Sequence, residues 1–184
     1  YQGAWRELPD CCFLDWPDYT GEQRLSEMAE RLCSEHSIND GDVVIGTSLG
    51  GMVACEIATQ VRLEHLILVS SAVEKQEISR ILALLHPLVD YIPLKGILKM
   101  IGKFPQELRQ MLGSSDPEFI RAMSKAIFRW DGFCSSDFKP LRIHGQNDQI
   151  IPLPNAVDHV LPGGHLIALS EADACVEIIS SVMS

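Results

Sequence analysis

The stretch that most constrains this chain is residues 42–58, DVVIGTSLGGMVACEIA, where an unbroken apolar run passes through a serine set between glycines into a helical pattern. Such a run, without alternation, suits a strand at the centre of a parallel sheet, buried on both faces. Val53, Ala54, Ile57 and Val61 then share one face of the following helix. Few Gly-rich turns can occupy the junction, and their chemistry differs. A phosphate-binding P-loop needs a lysine after its last glycine, but Met52 follows Gly51. A dinucleotide-binding turn needs glycine at its third position so that the backbone can approach a pyrophosphate, and Ser48 stands there. The pattern that fits is G-x-S-x-G, met by Gly46, Thr47, Ser48, Leu49 and Gly50.

In that pattern the chain turns so sharply that the serine takes a strained backbone, and glycines two positions to either side prevent clashes with neighbouring elements. Its hydroxyl is lifted above the sheet at a helix N-terminus, where free N–H groups and the helix dipole favour developing negative charge. The plainer alternative is a tight turn in which Ser48 caps the helix.

The rest of the chain supplies a setting for the turn. Residues 11–17 (CCFLDWP) read as a strand, and Leu25, Met28, Ala29, Leu32 and Cys33 then fall on one helical face. Further strands are expected at 65–71 (HLILVSS), at 140–145 (PLRIHG) and, more weakly, at 156–162 (AVDHVLP). A last helix is expected over 169–183, with Ala174, Ile178, Ile179 and Val182 inward. Strands alternating with helices imply an α/β fold, a mostly parallel sheet covered by helices on both faces. Residues 74–137 carry no strand pattern, are rich in Ile, Leu, Met and Phe, and contain Pro87, Pro93, Pro105 and Pro117. So long and apolar an insertion reads as a helical cap between two strands, not as a solvated loop. At 184 residues and 46% hydrophobic content, residues 1–184 are expected to form a single domain.

Composition narrows the partners. A net charge of −10 disfavours nucleic acid and anionic membrane surfaces, which the long-range field repels. The six cysteines, Cys11, Cys12, Cys33, Cys55, Cys134 and Cys175, show no paired spacing and suit reduced thiols in a cytosolic, cytoplasmic protein. There is no CxxC or HExxH motif to hold a metal, and no apolar run of membrane-spanning length.

A serine at Ser48 is a poor nucleophile unless a base activates it and a third group orients that base. Asp148 lies just beyond the 140–145 strand in HGQNDQIIP, and His165 follows a glycine pair in LPGGHL. Each has a plain reading, as a turn former and as a surface residue. Together the chain order Ser48, Asp148, His165 is that of one triad family. On the motifs GTSLGG, HGQNDQIIP and PGGH, and on the element order between them, the chain resembles the α/β-hydrolase superfamily. The resemblance implies Ser48 as nucleophile, Asp148 as acid, His165 as base and the Leu49 backbone N–H as one oxyanion donor. It implies no cofactor, and a serine in place of an aspartate disfavours dehalogenase and epoxide hydrolase chemistry.

Two departures from that family raise expectations of their own. Only sixteen residues separate Asp148 from His165, so the usual crossover helix there is abbreviated. The strand and loop that give the family its second oxyanion donor normally precede the strand read at 11–17, and only ten residues do so here. The expectation is that N-terminal strands are missing, leaving an unfilled strand position or open edge beside DVVI or CCFLDW. Among other residues, His144 is assigned to packing and Glu74 is kept as a minor alternative acid. Trp16, Asp18 and Tyr19 form either a capped turn or part of a pocket lining.

The expected activity is a serine hydrolase acting on a small-molecule ester or thioester with an apolar acyl group, through an acyl-enzyme. The alternatives are a slow or non-catalytic small-ligand binding or receptor protein on the same fold, and an acyltransferase.

Overall fold

The structure is a computed structural model and describes residues 3–78, 116–135 and 138–183. A 3-10 turn at Gly3–Glu7 is followed by helix α1 (Leu25–His36), strand β1 (Val43–Thr47), helix α2 (Leu49–Gln60) and strand β2 (His65–Val69). A second 3-10 turn, Lys75–Glu77, leads towards helix α3 (Pro117–Arg129). Strands β3 (Leu141–Gly145) and β4 (His159–Leu161) and helices α4 (Ile167–Ser170) and α5 (Ala172–Met183) complete the order.

The four strands form one sheet in the order β1-β2-β3-β4, every pair parallel. Because side chains alternate across a strand, Leu66 and Leu68 of β2 enter one core while Ile67 and Val69 enter the other. The first core joins them to Met28 of α1, Met52 and Val53 of α2 and Met123 of α3. The second joins them to Trp5, Ile143 and, on α5, Cys175 and Ile179. Helices therefore cover both faces, as the alternation of apolar runs implies.

Three expectations change. β1 is an edge of this sheet, with Val43, Val44 and Ile45 only half-buried, and β2 is the strand whose apolar run is covered on both sides. The apolar run at 43–45 signals hydrophobic faces but not how many neighbours the strand has. Residues 11–17 contain no strand, and Phe13, Leu14 and Trp16 are exposed. A strand forms only where another backbone accepts its hydrogen bonds, and no described strand lies beside this segment. The open edge expected beside DVVI is present among the described residues. The last helix is broken at Glu171 into α4 and α5, and Cys175, Val176 and Ile179 bury its inner face, leaving Ala174, Ile178 and Val182 only half-buried.

Of the expected cap, α3 is described. Asp116 caps it by accepting from Glu118 N–H at 2.8 Å, and Pro117 occupies the first turn, where a missing N–H costs nothing. Phe119, Ala122, Met123 and Ala126 bury its inner face, and Trp130 Nε1 donates to Glu56 Oε1 of α2 at 2.6 Å. Residues 79–115 and 136–137 of that expected cap, with Pro87, Pro93 and Pro105, lie outside the described residues. No helix among the described residues is long and apolar enough to cross a membrane. All six cysteines are free thiols, and burial pushes Cys55 up to about 12.

The parallel ladder runs one residue past three strand ends, which prepares the site. Ser48 N–H donates to Val69 O at 3.1 Å, Ser70 N–H to Ile143 O at 2.9 Å and Gln146 N–H to Leu161 O at 2.9 Å. The turns that leave β1, β2 and β3 are thereby held in register on one edge of the sheet.

Candidate active site

Ser48 stands at the exit of β1 with φ 53° and ψ −122°, on the left-handed side of φ where a residue with a Cβ is strained. Both of its backbone polar groups are held. Its N–H extends the ladder to Val69, and its carbonyl accepts from Ser71 Oγ at 2.7 Å and from Gly51 N–H at 3.0 Å. The side chain does not cap α2, which removes the plainer reading of the serine.

The glycines around Ser48 are not equivalent. A Cβ on Gly46 would lie 2.5 Å from Gly50 O and from Gly51 Cα, and a Cβ on Gly51 would collide with the Ser71 side chain. At Gly50 the nearest atom is Trp16 Cζ2, at an ordinary 4.0 Å. Space is therefore demanded at Gly46 and Gly51, whereas the motif places the second demand on Gly50. The closeness of α2 to the turn after β2, invisible in the spacing, accounts for the shift.

The serine hydroxyl meets the histidine proposed from the sequence. Ser48 Oγ lies 2.8 Å from His165 Nε2, and His165 Nδ1 lies 2.8 Å from Asp148 Oδ2. Asp148 Oδ1 accepts from Ile150 N–H at 2.9 Å and from Ile151 N–H at 3.0 Å. Asp148 and His165 are each 5% exposed, while Ser48 is half-buried and can meet a ligand. Burial opposes ionisation of Asp148, but hydrogen bonds from His144, His165 and the Ile151 amide outweigh it and hold the carboxyl well below the usual carboxylate range.

The acid and histidine turns are built against each other. Asn147 N–H donates to Gly163 O at 2.8 Å, Gly163 has φ 119°, and a Cβ on Gly145 would collide with Gly164 O. The two glycines before His165 thus let its loop lie directly on the end of β3. No helix lies between Asp148 and His165, only β4, as the short spacing implies.

His144 does more than pack. It is buried, with Nε2 2.8 Å from Ile151 O and 3.3 Å from Asp148 Oδ2. Since a carbonyl only accepts, Nε2 carries the proton there, and it closes the turn that presents the acid. The signal was available as a polar side chain within an apolar strand, four residues before the acid.

The remaining candidates fall elsewhere. Glu74 is exposed at the start of the 3-10 turn Lys75–Glu77, and the carboxylate on His165 is that of Asp148. The Leu49 N–H is the first amide of α2, among those that no residue of the helix itself can satisfy. Asp18 and Tyr19 belong to a turn: Arg31 donates to Asp18 O at 2.7 Å and to Glu22 Oε1 at 2.7 Å, and Tyr19 Oη accepts from Gln23 at 2.9 Å. Trp16 leaves that turn and packs on Phe119.

No family model matches the chain, and no curated protein matches it significantly. Solved structures do. A meta-cleavage product hydrolase, CumD, from Pseudomonas fluorescens superposes with a TM-score of 0.59 at 20% identity, over 90% of this chain and 73% of that one. An esterase from Exiguobacterium antarcticum gives 0.60 at 16% identity, over 88% and 75%. The type II thioesterase BorB of the borrelidin biosynthetic cluster gives 0.55 at 18% identity, over 86% and 70%. At such identities the likeness speaks of architecture, and it agrees with the parallel sheet and its two helical layers: the chain has the α/β-hydrolase fold.

Proposed function

We propose that this protein is a serine hydrolase that cleaves an ester or thioester with an apolar acyl group through an acyl-enzyme. The observation that carries the reading is the unbroken line of hydrogen-bond distances from Ser48 through His165 to Asp148. His165 Nε2 takes the proton from Ser48 as Oγ attacks the carbonyl carbon, and Asp148 holds the proton on Nδ1 and stabilises the imidazolium. The Leu49 N–H, at the positive end of α2, meets the developing oxyanion. Collapse breaks the bond to the leaving alcohol or thiol, which takes the proton from His165. Water, deprotonated by the same histidine, then cleaves the acyl-enzyme. The names of the fold neighbours, an esterase and a thioesterase among them, are in keeping with this chemistry. The apolar content of residues 74–137, read from the sequence as a cap on this one domain, favours an apolar acyl group.

The test is labelling with a fluorophosphonate followed by mapping of the adduct. The expected result is a single adduct on Ser48, together with burst kinetics on an activated ester. Labelling of another serine, or none under conditions that label a known serine hydrolase, overturns the assignment and leaves the small-ligand binding protein as the better account.

A further inference from the structure

Trp16 is 40% exposed although it lies beside one of the most crowded turns of the molecule. Its ring packs on Phe119 of α3, centroids 5.4 Å apart and planes tilted by 46°, and Tyr19 meets Phe119 edge to face with centroids 6.4 Å apart. Phe119 is 7% exposed and belongs to the core, so Trp16 is backed by a fixed surface and still offers part of its own ring outward. The edge atom Cζ2 lies 4.0 Å from the place a Cβ on Gly50, two residues after Ser48, would take, and among the described residues outside that turn and its helix no other atom comes as near.

Two independent facts thus concern the same small volume. A large aromatic ring stays partly uncovered, and the adjoining position on α2 has no side chain, although a Cβ there would meet only ordinary contact. Gly46 and Gly51 are glycine because the backbone is crowded. Gly50 is not forced in that way, and its lack of a side chain leaves the edge of the indole beside the serine turn uncovered from that side.

We infer that Trp16, backed by Phe119, is the wall of an acyl-binding subsite that takes a planar apolar group, an aromatic or conjugated acyl chain, alongside the open face at Gly50. The inference rests on Ser48 being the nucleophile. A flat acyl group in this position packs against the indole while its carbonyl carbon stands over Ser48. Aromatic pairs gain beyond the burial of area alone, by an amount that corresponds to roughly threefold to tenfold in a binding or rate ratio. A saturated short chain such as acetyl does not reach the ring and forgoes that gain.

The experiment compares p-nitrophenyl esters that share one leaving group, with acetyl against phenylacetyl and cinnamoyl acyl parts, in the full chain and in Trp16→Ala and Trp16→Phe. The expected result is that Trp16→Ala lowers the ratio of kcat/KM for the aryl acyl esters over acetyl by about tenfold, mostly through KM, and that Trp16→Phe recovers most of it. A ratio that does not change, or an equal fall for all three esters, overturns the inference. Fluorophosphonate labelling is read on every variant. Failure to label Ser48 in the wild-type protein sinks the hydrolase reading itself, whereas intact labelling with an unchanged ratio sinks only the role of Trp16.

Discussion

Two serines leave the sheet in nearly the same way and meet different fates. Ser48 follows β1 with φ 53°, and Ser70 follows β2 with φ 46°. Each uses its N–H to extend the ladder onto the neighbouring strand. Ser48 is followed by Leu49 and two glycines, is half-buried, and has His165 at its hydroxyl. Ser70 is followed by Ser71, is fully buried, and its Oγ has no hydrogen-bond partner among the described residues. Strained exit geometry is therefore common to both, and cannot by itself make a reactive group. What separates them is access and a base. The Ser71 hydroxyl spans the pair, because it holds the Ser48 carbonyl from the turn that Ser70 begins.

The sharpest way to break this comparison is to remove each hydroxyl. Ser48→Ala should abolish fluorophosphonate labelling and lower turnover by about 10⁶, while Ser70→Ala should change turnover less than about threefold. Comparable losses in both, measured on an activated ester, would mean that the buried serine takes part. A loss of about 10⁴ in kcat is expected for Asp148→Asn, because the amide favours the wrong histidine tautomer, and Glu74→Gln should be almost silent. The reverse pattern would move the acid to Glu74.

The glycines give a smaller and purely steric contrast. Gly51→Ala drives a methyl into Ser71 and should cost roughly 1–3 kcal/mol of stability by overpacking. Gly50→Ala meets only ordinary contact with Trp16 and, lying in α2, should be neutral or stabilising by up to about 1 kcal/mol. Urea midpoints measure both, and equal midpoints would mean that the Ser71 turn yields freely. The smallest effect concerns Glu22, whose burial opposes ionisation but whose bonds from Arg31, its own backbone amide and Thr20 bring its carboxyl from 4.5 down to about 2. A depressed carboxylate contributes stability that is complete above its unfolded pKa and fades as the pH falls from 4.5 towards 2. Glu22→Gln should therefore destabilise at pH 7 and much less at pH 3, as read from urea midpoints, whereas equal changes at both would argue against the shift.

These contrasts also mark what the chain makes legible. The turn at Ser48 and the loops of Asp148 and His165 could be found because each follows an apolar strand and carries glycines, and those features are local. The strand expected at 11–17 failed because strand formation depends on a partner backbone that no periodicity encodes. β1 was placed at the centre for the same reason, since Val43 to Ile45 read alike whether a strand has one neighbour or two. The contact of His144 with the acid and the demand at Gly51 are tertiary facts, set by how turns from different strands meet.

The parallel register also fixes a span. Ser48 closes β1 and Asp148 follows β3, with β2 lying between them and contributing neither. Two steps across a sheet amount to ~9.6 Å between strands, and the serine and aspartate side chains reach inward from the two ends to meet one imidazole, 2.8 Å from each of its nitrogens. In this geometry β2 acts as a gauge block, setting the spacing that the serine, the imidazole and the carboxylate together span.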